Sequence, residues 1–500
     1  MLAAAAGLPL AAILALMLGL RWSAAKAGAV GLGLALVVAL FAFGFGEAVL
    51  PELGPARAVG FSFAEAAFTA ATILWIIFPA LCLYEAQQRS GAFATIRGAL
   101  ALVSDDPRTL ALLVAFFFAL FMEGAAGFGT PVALAAPLLV SLGFAPLKAV
   151  ALALIGHAAG VSFGAVGTPV IAQAEITGVP AGAIATQTAL MHALSGIVLV
   201  LFVVKLAADG PLRRVDVALA ALAAACFFLP SLALAFLVGP EVPTLGGALI
   251  GLLLFVPLAR RIAPRSEAGI ETVDARKLAR AILPYGLLLV LILATRLIPP
   301  LQDGLRAVDL VWALPGPFAG RFEPLYHPGT LLMLGFVGGV LAQGGRAGDL
   351  IAAMAAAARR LAPVVVALLA MLAISRIMVH AGMIAALAEA AAGIGPLWPL
   401  AAPAVGVLGT FVTGSATASN ILLSEFQVAT AEALALEATP LLAAQSFGAA
   451  VGNIVCPHNI IAGGATVGLA GREGPAMRLT AGACVAYALA GGLLALAFVG

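Results

Sequence analysis

One carboxylate stands beside a cluster of helix-breaking residues early in this 500-residue chain. Glu123 ends the apolar run 110–122, and four helix-breaking residues follow it: Gly124, Gly127, Gly129 and Pro131. An ionisable side chain inside a membrane costs at least about 2.5–3.5 kcal/mol, so it is rare unless it has a function. Non-helical backbone at membrane depth is tolerated only inside protein or beside a watery cavity. The segment therefore predicts a transport site on a discontinuous helix.

Three further apolar segments are interrupted in the same way and are rich in glycine: 156–169, 409–420 and 445–459. The first two breaks are 32 residues apart, from Gly124 to Gly156, and the last two are 34 apart, from Gly414 to Gly448. Paired interruptions in two halves predict an inverted repeat whose four half-helix tips meet near the middle of the bilayer. Four unrelated packing faces of small residues are the alternative interpretation.

The residues at these breaks are candidates for binding a small anion. Helix N-termini after Gly129 and Gly414 would offer free backbone N–H groups and the positive end of the helix dipole. The small polar side chains after Gly414 would bind a hydroxyl group, or would only satisfy interrupted backbone. The predicted binding residues at the breaks are Gly127, Gly129, Thr130, His157, Gly414, Ser415, Thr417, Ser419, Asn420, Asn453 and His458.

Arg376 is the candidate for holding a substrate carboxylate with two hydrogen bonds. It lies inside the apolar run 368–383, far from the next charge, and His380 follows one helical turn later on the same face. An arginine fork matches a carboxylate well. The alternative is a structural ion pair between Arg376 and either Glu123 or Glu425.

Glu123 is also the first candidate for proton coupling, with a fixed ion pair as its alternative. His157 and His458 are further candidates, because histidine ordinarily titrates near pH 6.5. A hydrogen-bonded packing role is the alternative for each, whereas His192 and His327 are expected to be peripheral. Na⁺ coupling through unwound carbonyl groups near 413–417 is a further possibility.

The composition indicates a membrane protein. Hydrophobic residues make up 63% of the chain and charged residues only 10%, against about 25% charged residues in soluble domains. The long apolar runs do not alternate as β-barrel strands do. The net charge of +2 gives no indication of nucleic-acid binding. The four scattered cysteines predict neither a disulfide nor a zinc site, and we expect no cofactor.

The distribution of basic residues predicts how the chain crosses the membrane. The segments 21–26, 84–109, 205–216, 259–280 and 343–360 together hold 17 lysines and arginines, whereas 47–63, 239–243 and 299–328 hold three. The basic set is therefore expected in the cytoplasm, with the N-terminus outside. We predict an all-α polytopic protein with 12–14 membrane elements, some re-entrant. Its parts would be the halves 1–258 and 281–500 and a basic linker, 259–280.

Several segments, in order, closely resemble the bacterial L-lactate permease family. They read FMEGAAGFGTPVALAAPLLVSLGF from 121, FGAVGTP from 163, GTFVTGSATASN from 409 and AAQSFGAAVGNIVCPHNIIAGGATVGLAGRE from 443. The resemblance is strong over 60–210 and 400–480. It implies secondary uptake of 2-hydroxymonocarboxylates such as L-lactate, D-lactate and glycolate, with protons, across the bacterial inner membrane.

The chain departs from the family pattern at several positions. Ala416 stands where the family commonly has aspartate, and Asn453 stands where it commonly has lysine. His157 replaces an asparagine, and the family's SPQS reads CPHN at 456–459. The joint loss of an acid and a base suggests that an ion pair has been deleted, since removing one partner alone leaves an uncompensated buried charge.

Two other classes of protein are weaker readings of the sequence. The run Gly160-Val-Ser-Phe-Gly164 fits the G-x-S-x-G pattern of hydrolases, but that pattern needs a strand–turn–helix context and this segment is apolar and Gly-rich. A passive anion channel could use the same positive helix tips. Among transporters, another small organic anion is the alternative substrate.

Overall fold

A computed structural model describes residues 2–20, 22–127, 129–208, 210–262, 274–469 and 473–499. The first half of the chain forms helices along its apolar runs. They are α1 (Leu2–Gly19), α2 (Ala24–Phe41), α3 (Gly54–Arg89), α4 (Ala92–Ala101), α5 (Pro107–Ala111), α6 (Ala119–Ala125), α7 (Thr130–Ser141), α8 (Pro146–His157), α9 (Gly164–Thr177), α10 (Ala181–Ser195), α11 (Ile197–Ala207), α12 (Arg214–Leu237) and α13 (Pro243–Ile262).

The second half continues in the same way, with one β-hairpin near its start. Its elements are α14 (Ala275–Leu297), α15 (Pro299–Arg306), β1 (Leu310–Ala313), β2 (Ala319–Phe322), α16 (Pro328–Ala342), α17 (Ala347–His380), α18 (Met383–Ala392), α19 (Trp398–Thr413), α20 (Ala416–Ala433), α21 (Ala438–Gly452), α22 (Pro457–Thr466) and α23 (Glu473–Val499). Short 3₁₀ turns cover Ala158–Phe163 and Gly395–Leu397, and a π-helical turn covers Leu112–Phe118.

The helices confirm the predicted class, an all-α polytopic membrane protein. Among the described residues, ten helices or continuous helical runs are long and apolar enough to cross a membrane, and the bent pair of α10 and α11 would make eleven. Six shorter apolar helices of 10–17 residues accompany them. Several of the 12–14 predicted elements are therefore half-length helices that end at a break.

All four predicted breaks interrupt helices. The chain leaves α6 and begins α7 at Gly129, which has a positive φ of 77° and acts as the N-cap. It leaves α19 at Gly414, also with a φ of 77°, and begins α20 at Ala416. A residue without Cβ adopts this left-handed conformation at little cost. A third break, at residues 453–456, separates α21 from α22.

The break between α8 and α9 is more unusual. Ala165 and Val166 both have positive φ angles, of 43° and 55°, and Gly167 follows at 79°. Left-handed backbone is costly for residues with a Cβ, and most of all for a β-branched residue. A Cβ on Gly167 would overlap the carbonyl of Pro240, so this left-handed turn packs directly against the loop between α12 and α13. Close packing on both sides holds the strained turn in place.

Two long helices, α3 and α17, pack along each other and form a separate layer beside the broken helices. Helix α3 has 36 residues and α17 has 34, so each exceeds the roughly 20 residues that cross a bilayer. Neither is interrupted by a non-helical turn in the described structure. Helix α9 contacts α3, and α20 contacts α17, so this layer supports two of the broken segments.

The β-hairpin forms part of the segment predicted as a non-cytoplasmic connection, 299–328. Strands β1 and β2 are antiparallel, with Leu310 paired to Phe322 and Ala313 to Ala319. Trp312 packs edge-on against Phe68 of α3, with ring centroids 5.3 Å apart. This contact ties the hairpin to the N-terminal half of α3.

The predicted linker, 259–280, is only partly described. Helix α13 continues to Ile262 and α14 begins at Ala275, so helical residues cover both ends of the predicted segment. Residues 263–273 lie outside the described residues. The division into halves at 258 and 281 stays a prediction. Each part of the chain contains two pairs of helices separated by a break: α6–α7 and α8–α9 in the first, and α19–α20 and α21–α22 in the second. The repeat hypothesis requires this order.

Candidate functional site

The four breaks meet around one buried cavity of about 40 Å³, which we call the inner cavity. That space holds a few water molecules. Its lining comes from all four interrupted segments, so the prediction that the breaks converge is confirmed. The lining residues are Glu123, Gly127, Gly129, Val161, Gly164, Ala165, Pro169, Gly414, Ser415, Ala416, Thr417, Asn453 and Asn459.

Glu123 is the ionisable residue among these described lining residues. Its side chain is 6% exposed, and its Oε2 lies 3.9 Å from Nε2 of His157. The other ring nitrogen of His157, Nδ1, lies 2.5 Å from the carbonyl oxygen of Ala153, which accepts a hydrogen bond when Nδ1 is protonated. A Cβ on Gly164 would overlap the Glu123 carboxylate, so glycine is required for this close approach.

Helix N-termini surround the cavity and give it a positive local potential. Gly129 is the N-cap of α7, and Ser415 is the N-cap of α20 and accepts a hydrogen bond from the backbone N–H of Ala418 at 3.3 Å. Asn459 lies in the first turn of α22, and Gly164 lies at the start of α9. Unpaired backbone N–H groups at such ends attract anions. The predicted helix starts after Gly129 and Gly414 are confirmed.

Two asparagine side chains form an amide pair on the cavity wall. Nδ2 of Asn459 donates to Oδ1 of Asn453 at 2.5 Å. Asn453 is also a hydrogen-bond partner of His157, which links the amide pair to the residue beside Glu123. The sequence singled out Asn453 but not Asn459. The signal for Asn459 was a polar side chain four residues from a glycine-rich apolar run, which is weak on its own.

Ala416 and Asn453 both line the inner cavity. These are the positions at which the resemblance to the family implies an aspartate and a lysine. Both residues line the same small cavity. Their common replacement by neutral residues is therefore consistent with the deletion of a pair that would otherwise lie inside this cavity.

Several predicted binding side chains point away from the inner cavity and satisfy backbone instead. Thr130 donates to the carbonyl of Gly127 at 2.8 Å, and Ser419 donates to the carbonyl of Gly406 at 3.0 Å. Asn420 donates to the carbonyl of Pro169 at 3.1 Å, which joins α20 to α9. These contacts correspond to the alternative given for the small polar residues, satisfaction of interrupted backbone.

Two further histidines, His458 and His192, lie in different surroundings. His458 is exposed and lies against Gly414, and it is not one of the residues that line the inner cavity. His192 is buried, and its ring nitrogens lie 3.0 Å from Ser162 Oγ and 2.7 Å from the Tyr487 hydroxyl. Ser162 also donates to the carbonyl of Ser446 at 3.0 Å. The serine of the G-x-S-x-G pattern is thus part of a buried packing contact.

The structure does not bring Arg376 or His380 to the inner cavity. Both belong to α17, where Arg376 contacts Glu425 in an ion pair and Glu65 at 3.5 Å. Nε2 of His380 lies 2.6 Å from the other oxygen of Glu65. Of the two partners considered for a structural pair, Glu425 is the one in contact.

Arg376 instead lines a second cavity of about 470 Å³, which we call the vestibule. Its wall includes exposed residues such as Gly178 and Arg321, so it opens to the protein surface. The hairpin strand β2 forms one side. Its charged lining residues are Glu65, Glu175, Glu241, Glu323, Arg296, Arg306, Arg321 and Arg376.

Most of the vestibule charges are paired. Arg296 contacts Glu241 at 2.6 Å, with both side chains buried, and the more exposed Arg321 contacts Glu323 at 3.1 Å. His327 also lines this cavity. Burial and the nearby Arg296 guanidinium lower the pKa of His327 to about 4, so the imidazole is neutral near pH 7. Sequence reasoning missed this cavity, because its charges come from segments far apart in the chain.

The fold and the two cavities define a class of protein: a polytopic helical membrane protein with a buried cavity at converging helix breaks. The chain belongs to the L-lactate permease family, whose model matches residues 2–321 and 309–499. Membership of a permease family indicates a transport protein rather than an enzyme.

Two curated relatives illustrate the match. The chain is 30% identical to the glycolate permease GlcA of Escherichia coli over 474 residues, covering 85% of this chain and 84% of that protein. It is 31% identical to the L-lactate permease of Streptococcus iniae over 374 residues, covering 72% and 78%. Among solved structures, Neisseria gonorrhoeae MtrF, described as illuminating a class of antimetabolite efflux pumps, is similar in fold. Its TM-score is 0.51 at 17% identity, over 89% of this chain and 84% of that one.

Proposed function

We propose that this protein imports L-lactate and related 2-hydroxymonocarboxylates, including glycolate and D-lactate, together with protons. The observation that carries the proposal is one buried carboxylate, Glu123, in a cavity ringed by helix N-termini, in a chain of the L-lactate permease family. The named relatives, a glycolate permease and an L-lactate permease, support this substrate class.

The substrate carboxylate binds the backbone N–H groups at the starts of α7 and α20, beside Gly129 and Gly414. These positions hold an anion without a cationic side chain, because the helix dipole and free N–H groups act together. Ser415, Thr417 and Asn453 then provide hydrogen bonds for the 2-hydroxyl group. Ser415 and Thr417 flank Ala416 on one wall of the cavity, and Asn453 lies on the lining as well.

The remaining binding candidates act indirectly in this proposal. Thr130, Ser419 and Asn420 hold the broken backbone through their hydrogen bonds, so they position the cavity walls. His458 packs against Gly414 and supports the helix start there. Gly127 provides the close backbone approach beside Glu123.

Glu123 carries the coupled proton, and His157 modulates it from 3.9 Å away. When Glu123 is protonated and the monocarboxylate is bound, the cavity carries one negative charge held by backbone dipoles instead of two. Two negative charges this close repel strongly in a poorly hydrated site. Reorientation therefore requires the proton and the substrate together, or neither. Because the inner cavity has room for only a few waters, it must widen to admit a substrate.

The protein lies in the bacterial inner membrane with its N-terminus in the periplasm in this proposal. Seventeen lysines and arginines in five connecting segments, against three in the opposite ones, support that orientation. The vestibule residues Glu241 and Arg321 belong to the sparsely basic segments, so the vestibule faces outward.

The deciding experiment is uptake of radiolabelled L-lactate by the purified protein in proteoliposomes, with and without an inward proton gradient. We expect accumulation that requires the gradient, that glycolate and D-lactate inhibit, and that Glu123→Gln abolishes. Accumulation that follows Na⁺ instead would replace proton coupling by Na⁺ coupling. Equilibration without accumulation would indicate a passive channel. Neither uptake nor inhibition would mean another organic anion is the substrate.

A further inference from the structure

Arg376 joins two layers of the protein at one edge of the vestibule. Arg376 belongs to α17, which packs along α3. Oε1 of Glu65 in α3 lies 3.5 Å from Nη1 of Arg376. On the other side, Nη2 contacts Glu425 of α20 and donates to the carbonyl of Ile176 in α9 at 3.4 Å. Helices α9 and α20 are broken helices, and their N-terminal residues line the inner cavity. One guanidinium thus ties the uninterrupted helices to two of the helices that form the proposed substrate site.

Helices α9 and α20 extend from the Arg376 contacts to the inner cavity. Glu425 is eight residues after Thr417 in α20, and Ile176 is seven after Pro169 in α9. At about 1.5 Å of rise per residue, Arg376 therefore lies roughly 10–12 Å from the inner cavity along the helix axes. Arg376 lines the vestibule, whereas its partners Glu425 and Ile176 are not among the vestibule's lining residues.

The two acidic partners of Arg376 are held differently. Glu65 is fixed by two groups, since one oxygen faces Arg376 and the other lies 2.6 Å from Nε2 of His380. One oxygen of Glu425, Oε1, accepts a hydrogen bond from one nitrogen of Arg376, Nη2. In the part of the chain that the structure describes, Nε of Arg376 is buried without a hydrogen-bond partner. The Nε–Nη2 edge of the guanidinium, which accepts a carboxylate with two parallel hydrogen bonds, is thus only half used.

In the neighbouring vestibule pair, Arg296 and Glu241, both donors of the corresponding guanidinium edge make hydrogen bonds. Oε1 of Glu241 accepts from both Nε and Nη2 of Arg296, at 3.1 Å and 2.6 Å. Nη2 of Arg296 also donates to the carbonyl of Tyr326 at 3.2 Å, and the guanidinium stacks 3.6 Å above the Tyr326 ring. The Nε–Nη2 edge of Arg296 thus has no free position, and its donor without a partner among the described residues is the end-on Nη1, whereas at Arg376 a visiting carboxylate gains the edge position Nε.

We propose that Arg376 is an exchange site at which the carboxylate of the incoming monocarboxylate displaces Glu425 and so releases α20 and α9 from α17. The ligand binds the Nε–Nη2 edge with both oxygens, and Glu425 turns toward the vestibule. Loss of the Glu425 contact frees α20, and movement of Nη2 toward the ligand frees the Ile176 carbonyl of α9. This proposal rests on the proposed function, because it needs a carried monocarboxylate.

The exchange makes an unusual prediction about the two members of one ion pair. Glu425→Gln removes the competitor for Arg376, so the KM for L-lactate falls roughly tenfold, the lower end of what a hydrogen bond to a charged group contributes. Arg376→Gln removes the binding group, so KM rises by roughly tenfold or more. Arg376→Lys keeps the charge without the fork and gives an intermediate KM. A purely structural pair would not shift KM in opposite directions.

The test measures initial rates of radiolabelled L-lactate transport against concentration in right-side-out and inside-out vesicles, because the vestibule serves one side. Glu241→Gln is the matched control, since it neutralises the acid of the neighbouring vestibule pair and should leave KM unchanged. If Arg376→Gln folds poorly, the double variant Arg376→Gln/Glu425→Gln replaces it. That variant removes both charges of the Arg376–Glu425 pair, Glu65 keeps its contact with His380, and the raised KM must still appear.

The possible outcomes separate the two proposals. Opposite KM shifts on the vestibule side, absent in Glu241→Gln, support the exchange. Transport by the wild type with an unchanged KM in Glu425→Gln, or with the same shift in Glu241→Gln, overturns the exchange and leaves the proposed function intact. No transport of L-lactate or glycolate by the wild type overturns both.

Discussion

The inner cavity and the vestibule differ in the groups that line them: mostly uncharged groups in the inner cavity and charged side chains in the vestibule. The inner cavity, of about 40 Å³, is walled by glycine backbone, small hydroxyl and amide groups, and Glu123. The vestibule, of about 470 Å³, carries four arginines and four glutamates, most of them in ion pairs. In the buried vestibule pair of Arg296 and Glu241 each full charge is offset by an opposite one, whereas helix N-termini and their backbone dipoles surround the inner cavity.

The difference follows from the groups that line each cavity. The vestibule is lined by arginines and glutamates, whose charges act over longer distances. The inner cavity is lined mainly by small fixed groups, which act only in contact. Each prediction below changes one of the two regions in a way that would either remove the contrast or define it more closely.

The largest effect is expected from Gly164→Ala in the inner cavity. Its Cβ would overlap the Glu123 carboxylate and force it out of position. A displacement of about 1 Å at a binding site can cost on the order of 100-fold in rate, so L-lactate uptake should fall by about that much. Gly182→Ala in α10 is the control, because its Cβ would meet no atom within 4 Å. Equal uptake by the two variants would contradict the close approach described here.

A charged pair can be introduced into the neutral cavity by Ala416→Asp and Asn453→Lys. Ala416→Asp adds a second carboxylate to the cavity that holds Glu123 and should destabilise the protein by about 3–5 kcal/mol, whereas Asn453→Lys alone places its charge beside Glu123 and should cost less. The double variant should recover much of that loss, because the positions line the same cavity. Thermal denaturation of all four proteins in detergent gives the interaction energy. Strict additivity of the two single losses would mean that the side chains do not meet.

Within the vestibule, burial should decide how much each ion pair contributes to stability. Arg296 and Glu241 are 5% and 7% exposed, so Arg296→Gln leaves a buried carboxylate and should cost roughly 3 kcal/mol. Arg306 is 49% exposed, and Arg306→Gln should cost at most about 1 kcal/mol. Chemical denaturation compares the two variants directly. A loss of similar size in both would show that depth does not govern these charges.

The sequence could predict the breaks because their chemistry is local. Glycines 129 and 414 lie where the chain takes a left-handed turn; α7 begins directly after Gly129, and α20 begins two residues after Gly414. The left-handed turn at Ala165 and Val166 could not be predicted, since neither residue favours that conformation. Tertiary contact with the loop at Pro240 holds it there. Local preference is decisive only where packing does not oppose it.

Arg376 shows the same limit for a single side chain. Its isolation in an apolar run marks it as functional, and the sequence offered both Glu123 and Glu425 as partners. Its observed partners include Glu65, 311 residues away, and Glu425. A side chain's depth along a helix and its partners across the chain depend on how α17 packs, which helical periodicity does not record.

By itself, the sequence determined that this protein is a helical membrane transporter of a recognisable family, where its helices break, and which residues at the breaks are polar. Hydrophobicity, helix-breaking residues and short motifs are properties of neighbours along the chain, so they can be read directly. The sequence also predicted that the four breaks meet, but only the tertiary structure decided how large the cavity between them is and which residues, with Glu123 among them, line it. It alone placed Arg376 in a separate vestibule, because those distances are set by packing between segments hundreds of residues apart.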